Sequence, residues 1–354
     1  MRQPSWALPV VSSLLLAGCA VGPNYKRPQA AVPTQWTVAP TRGTETKSPE
    51  TDEWWASFQD PELNSLVERS ASRNLDLKLA LERVQEARAA RGVARSGYFP
   101  SIDGAASGTR NRQRVIAPVG PQNSPIIVPV EFNNFQGGLS ASWELDVFGG
   151  TRRRVQAATA DATAAEENRR DVLVILLGDV GRVYAQLRGF QRRLEIANKN
   201  IKTQQDTLDL TSARAKAGLA TELDVSRAAA QLESTRAIVP SLLSGIDVSI
   251  HRLSVLLGEE PGALRGELEK VSPIPSAGPE VDVGLPSDLL KRRPDIRRSE
   301  AQLAAATARI GEAKADLFPR FVLTGTAGRQ AAQLHDIALG AGNFFSVGPG
   351  ISLP

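Results

Sequence analysis

The 354-residue sequence predicts a mainly α-helical chain that joins one very long αα-hairpin to four β-strands of membrane-spanning length. Three observations carry this. No proline occurs from Val130 to Val239, and across that interval apolar residues recur at steps of three and four. The segment Phe135–Val147 alternates apolar and polar residues. A helix–strand unit occurs twice, at a fixed offset of 219 residues, first at Leu66 and again at Leu285.

The chain opens with an apolar run from Ala7 to Gly18. That is shorter than the ~20 apolar residues a membrane-spanning helix needs and has the length of a signal-peptide core. Residues 1–18 are therefore expected to be an export signal, although Arg2 is its only charged side chain. Leu16, Ala17 and Gly18 precede Cys19, the single cysteine of the chain. The small residues suit a peptidase pocket, and the thiol that follows can be acylated. The string resembles a bacterial lipoprotein box, which implies Cys19 as the lipidated first residue of the mature protein. An ordinary buried thiol is the alternative. A lone cysteine excludes an internal disulfide, and acyl chains tether without spanning. Ala20 follows Cys19, and the likeness to lipoproteins lacking an acidic residue there implies the outer membrane.

Composition is that of a normal globular mixture, 42% hydrophobic and 23% charged. Lys and Arg number 42 against 38 for Asp and Glu, an excess too small to argue for nucleic acid in an exported chain. After the leader no apolar run approaches 18 residues, so any further membrane contact must use strands.

Residues 19–59 form an expected lipidated arm, with Pro23, Pro28, Pro33, Pro40 and Pro49 too closely spaced for a helix. Trp54, Trp55 and Phe58 are expected to pack where the folded part begins. Residues 60–97 read as the first helix of repeat 1. Residues 98–148 read as a strand pair, with SIDGAASGTRNRQ as the weaker partner of Phe135–Val147 and a polar loop from Asn111 to Asn134. From this segment alone, a membrane strand and a strand of a water-soluble sheet with one buried face are equally served.

Residues 149–258 read as the long hairpin. Val180, Val183, Leu187, Phe190, Leu194, Ala197, Ile201, Gln204, Leu208, Thr211 and Ala215 keep a 3.5-residue period. Extended back to Arg152, the helix spans roughly 100 Å at 1.5 Å per residue. Gly178, Gly181 and Gly189 inside it predict close approach of a neighbour or a local adjustment. Gly218 closes this helix, and Thr221 with Asp224 forms a capping box that opens the next. The returning face is expected at Val225, Ala229, Leu232, Arg236, Val239, Leu243, Ile246, Ile250, Leu253 and Leu257, with a kink at Pro240.

Residues 259–284 read as a linker, 285–317 as the first helix of repeat 2, and 318–354 as a second strand pair. At the repeat offset Arg73 meets Arg292, Asp76 meets Asp295, Gly92 meets Gly311, and Phe99-Pro100 meets Phe318-Pro319. Repeat 1 continues into a hairpin while the sequence stops at Pro354, so repeat 2 reads as truncated before its own hairpin.

The strings LAGCAVGPNYKRP, WWASFQDPELNSLV, SASWELDVFGG with TRRR, RAKAGLATELDV, LLKRRPDIRRSEAQLAAA and ADLFPRF together resemble the TolC-like outer membrane factors, in the lipoprotein branch (NodT/OprM type) that serves resistance-nodulation-division (RND) efflux systems. The resemblance implies a homotrimer in which each protomer gives four strands to a shared twelve-stranded β-barrel and long helices to a periplasmic α-barrel. It implies a passive exit duct for drugs or other small molecules in outer membrane lipid, fed by an inner-membrane RND transporter through a periplasmic adaptor (membrane fusion) protein. It also implies adaptor contact at the hairpin tip, at Arg214, Lys216, Gly218, Leu219, Thr221 and Asp224. Capping alone explains Gly218, Thr221 and Asp224 equally well, and Ala217 departs from the family's usual Val.

No enzymatic constellation appears. His251 and His335 lack metal-ligand neighbours, so no metal and no cofactor is expected. Glu166 with Glu167, and Glu259 with Glu260, do not form an acid/base pair. Gly149-Gly150 before three arginines could hold an anion, but a strand-to-helix junction is preferred. KRRPDIRR reads as a solvated helix start rather than a nucleic-acid patch. A lipid-anchored periplasmic coiled-coil scaffold, or a non-conducting truncated remnant, is the rival reading.

Overall fold

The computed structural model describes residues 20–29, 44–45, 53–119, 124–276, 281–282, 290–339 and 342–354. Leu16, Ala17, Gly18 and Cys19 lie outside the described residues. The chain divides into two compact units. The first comprises residues 1–28, 86–163 and 300–354, and the second 29–85 and 164–299.

In the second unit, helix α1 (Pro61–Arg73) starts at Asp60, whose carboxylate accepts from the Glu62 and Leu63 backbone N–H groups. The next helix, α2, runs Leu75–Ser96, so the single helix expected over 60–97 is two. Buried Asn74 divides them: its Oδ1 caps α2 by accepting from Leu77 N–H at 2.9 Å, and its Nδ2 donates to the Leu256 carbonyl at 2.9 Å. The same break recurs 219 residues on, at Arg293, just before helix α6 (Pro294–Ala315).

Helix α3 runs unbroken from Gly150 to Lys216, α4 from Glu222 to Arg236 and α5 from Val239 to Leu256. Proline at the second position of α5 is tolerated because its missing N–H has no intrahelical partner there. The chain therefore breaks at Ala237–Ile238 rather than bending through Pro240. The returning face also differs from expectation. Thr235 and Leu242 are buried, whereas Arg236 pairs at the surface with Glu233 and Gln205 and Leu243 is exposed.

The core of this unit gathers Leu63, Leu66, Val180, Tyr184, Leu187, Ile250, Leu253 and Leu257, with Leu264 and Leu268 from the segment after α5 closing one side. Trp55 and Phe58, in a 3₁₀ turn at Trp54–Phe58, pack against it. Trp54 lies over Gly181, where a Cβ would come within 2.6 Å of the ring; Gly178 and Gly189 face open space and have no such role. Tyr184 donates to the second Asp60 oxygen at 2.9 Å, and burial pushes its hydroxyl up to about 12. Glu166 pairs with Arg169 and with Arg170, and Glu167 with Arg170 and Arg297.

In the first unit, four strands form one antiparallel sheet in sequence order: β1 (Ser101–Val119), β2 (Ser124–Leu145), β3 (Arg320–Ala331) and β4 (Asn343–Ser352). The expected loop over 111–134 is instead a continuation of the β1–β2 ladder, which stays in register to Val119↔Ser124. Its first strand is polar and arginine-rich, so it lacks the apolar alternation by which strands are recognised. Backbone pairing extends it, joined by the cross-strand pairs of Arg110 and Arg112 with Glu131.

Candidate functional site

Residues directly opposite in an antiparallel ladder share a face. Crossing all four strands, Gly104 pairs Leu139, Leu139 pairs Ala327, and Ala327 pairs Phe345. The neighbouring rows are Ile102–Ala141–Gly325–Val347, Trp143–Leu323–Pro349 and Leu145–Phe321–Ile351. These apolar rows all lie on one side. Phe345 is 85% exposed and Val347 73%, so nothing in the described chain covers them. The reverse side carries Asp103, Ser107, Gln136, Ser140, Ser142, Glu144, Thr324 and Thr326. The outer edges of β1 and β4 pair with no other strand among the described residues.

Where β2 passes into α3, the Asp146 carboxylate accepts from the Thr151 and Arg152 backbone N–H groups, both at 2.9 Å. An anion at this helix start is thus supplied by the chain itself, and the glycine pair serves as a junction. Arg153, one residue further on, is 4% exposed. It donates to the Val21 and Gly22 carbonyls and to Asn24 Oδ1, at 3.1, 3.2 and 2.9 Å. Tyr25 donates to Glu300 at 3.0 Å, and Arg27 pairs with the same carboxylate at 2.9 Å. Gly311 in α6 is what lets Arg153 and the arm cross this helix: a Cβ there would come within 2.8 Å of the guanidinium. On the far side of the junction Phe148 stacks on Phe318, with ring centroids 4.7 Å apart.

At the other end of α3 the chain reverses through a Schellman turn. Leu219 N–H donates to the Arg214 carbonyl at 2.8 Å and Gly218 N–H to that of Ala215 at 2.9 Å, with Gly218 at φ +72°. Thr221 and Asp224 then cap each other: the Asp224 N–H donates to the Thr221 hydroxyl oxygen at 3.2 Å, and the Thr221 N–H and O–H both donate to Asp224 Oδ2. Those two bonds hold the Asp224 carboxyl below the usual carboxylate range. Arg214 and Lys216 sit in the last turn of α3, where positive charge suits the helix C-terminus. Leu219 is 76% exposed at the apex, and Leu223 beside it is also exposed. Sequence reasoning missed Leu223 because it occupies one of the two unspecified positions inside the Thr-x-x-Asp capping box.

His335 pairs with Asp336 at 2.9 Å, and no group of three metal-ligating side chains gathers among the described residues. No helix among the described residues is long and apolar enough to cross a membrane.

The family described as outer membrane efflux protein matches residues 66–259 and 285–354. The two matched blocks begin at the first residue pair of the internal repeat. Nodulation protein T of Rhizobium leguminosarum bv. trifolii is 34% identical over 356 residues, spanning 100% of this chain and 73% of the relative. Solvent efflux pump outer membrane protein SrpC of Pseudomonas putida is also 34% identical, over 98% of this chain and 73% of its own. Among solved structures, the outer-membrane channel OprN superposes with a TM-score of 0.86 at 37% identity, covering 95% of this chain and 73% of that one. The Campylobacter jejuni CmeC outer membrane channel, at 24% identity, shares the fold with a TM-score of 0.81 over 95% of this chain and 71% of its own.

Proposed function

The chain belongs to the outer membrane efflux protein family, and on that footing we propose that three copies close a single pore through the outer membrane. The chain is the outer membrane channel of an efflux pump. The observation that carries this is the four-stranded sheet, with apolar rows crossing one face from Leu145 to Phe135 and outer edges that pair with no other strand among the described residues. Unpaired edge groups cannot face lipid, because no water is there to satisfy them. Four strands are too few to close on themselves, so edges must meet between copies, and three copies supply twelve strands. The polar face then lines water.

The pore is passive, a duct whose driving force comes from elsewhere in the pump. Small molecules such as drugs are delivered by an inner-membrane RND transporter through a periplasmic adaptor. The adaptor meets the hairpin tip at Arg214, Lys216, Gly218, Leu219, Thr221 and Asp224, where two exposed leucines offer apolar area between charges. Acylation of Cys19 anchors the arm in outer membrane lipid. The lead test is conductance: the purified protein should form ion-passing pores in a planar bilayer and migrate in gels as a heat-sensitive oligomer. A soluble periplasmic monomer that passes no current would overturn the reading.

A further inference from the structure

The apolar face of the sheet does not simply end at the loop side. Even-numbered residues of β1 share it, and after Gly108, paired with Phe135, they become Arg110, Arg112 and Arg114. Their cross-strand partners are Asn133, Glu131 and Pro129. The Arg110 and Arg112 side chains are 77% and 71% exposed. Glu131 is shared between them, at 3.0 Å from Arg110 and 3.5 Å from Arg112, and Arg114 makes no ion pair among the described residues. Among the described residues one carboxylate therefore faces three positive charges. Arg329 on β3 lies on the same face near this end. The opposite end of the sheet carries Trp143, Leu145, Phe321 and Ile351 on that face instead.

Position decides what the arginines meet. From Leu145 to Phe135 the strand rises about 34 Å, which a strand tilt of about 40° reduces to the ~25 Å of an outer-membrane apolar band. Arg110 follows immediately, where hydrocarbon gives way to headgroups. A guanidinium fork matches phosphate oxygens in pairs and stays charged at every relevant pH. We infer that Arg110, Arg112 and Arg114 form a lipid-facing ladder that binds the phosphate groups of outer-leaflet lipid headgroups. This rests on the reading of the sheet as barrel wall. The ladder fixes how far the β1–β2 ribbon stands out of the membrane.

The test uses the purified full chain in detergent with three probes: bis-phosphorylated lipid A, the same glycolipid with both phosphates removed, and inorganic phosphate. The wild-type protein should bind the phosphorylated lipid about tenfold or more tightly than the dephosphorylated one, given the size of arginine–headgroup attraction. Arg110→Gln/Arg112→Gln/Arg114→Gln should abolish that preference, and the triple Lys variant should keep part of it. Equal binding of the two lipids by the wild-type protein overturns the inference. So does an unchanged preference in the triple Gln variant, or inorganic phosphate binding as tightly as the lipid. Bilayer conductance of the same preparations separates the two readings: pores without lipid discrimination sink only the ladder, whereas absent pores sink the barrel.

Discussion

Arg153 and Val21 stand 132 residues apart in sequence, yet the Arg153 Nε–H donates to the Val21 carbonyl at 3.1 Å. The same guanidinium also reaches the Gly22 carbonyl and Asn24. A single buried cation thereby fastens the arm that follows Cys19 to the first turn of α3. Arg153→Ala takes this donor away from the Val21 and Gly22 carbonyls and Asn24 Oδ1 and should cost about 2–4 kcal/mol. Limited proteolysis is expected to release the N-terminal arm from the variant and spare it in the wild-type protein. Arg153→Lys should rescue only partly, because one ammonium cannot reproduce the fork.

Asp146 supplies the anion at the start of α3, accepting from two N–H groups. Replacing it by Ala should cost about 1–2 kcal/mol, the usual range for losing a helix cap. Heat-modified migration would then set in at lower temperature than for the wild-type protein. An unchanged onset would show that the junction holds without its cap.

At the hairpin apex, stability and function should separate. Thr221→Ala removes the capping box and should cost about 1 kcal/mol, and Gly218→Ala a comparable amount at φ +72°. Leu219→Asp alters an exposed side chain and should leave thermal stability unchanged. It should nonetheless abolish drug efflux in cells if the tip docks on the adaptor. Wild-type efflux by Leu219→Asp would remove that docking role.

Glu62 is held at about 7, first by burial and then by the neighbouring Glu267 carboxyl, while Arg188 and Arg69 pull the other way. One Glu62 oxygen is buried without a hydrogen-bond partner. An unfolded chain releases this proton near the ordinary glutamate value, so the folded state holds the extra proton between about pH 4.5 and 7. Stability from this group therefore falls as pH rises through that window. Glu62→Gln should raise the unfolding midpoint at pH 8 and lose its advantage below pH 4.5, a comparison calorimetry makes directly. A midpoint gain independent of pH would contradict it.

Much of this architecture was readable because it is periodic. The 3.5-residue repeat located α3, and a glycine followed by Thr-x-x-Asp located its reversal. The alternating run at Phe135–Val147 located β2, and the 219-residue offset located β3. The outer half of the β1–β2 ribbon escaped because Arg110, Arg112 and Arg114 replace the apolar partners that make alternation visible. Asn74 escaped for another reason: a buried asparagine capping one helix while bonding Leu256 across the core is a tertiary event with no local signature. The same holds for Arg153, whose partners lie in a proline-containing arm.

Edge-to-edge closure between copies is best tested by disulfide trapping across β1 and β4. Within one copy these edges are separated by two strands, about 14 Å at the usual strand spacing, too far for a disulfide, which needs Cα atoms within ~7 Å. Pairing Ser107→Cys on β1 with Ser346→Cys on β4, and scanning adjacent positions for register, should therefore yield only intermolecular bonds. Oxidised protein is expected as covalent two- and three-copy species, with nothing larger. Chains that stay at single-copy mass across the whole scan, or that polymerise without stopping at three, would contradict a shared barrel.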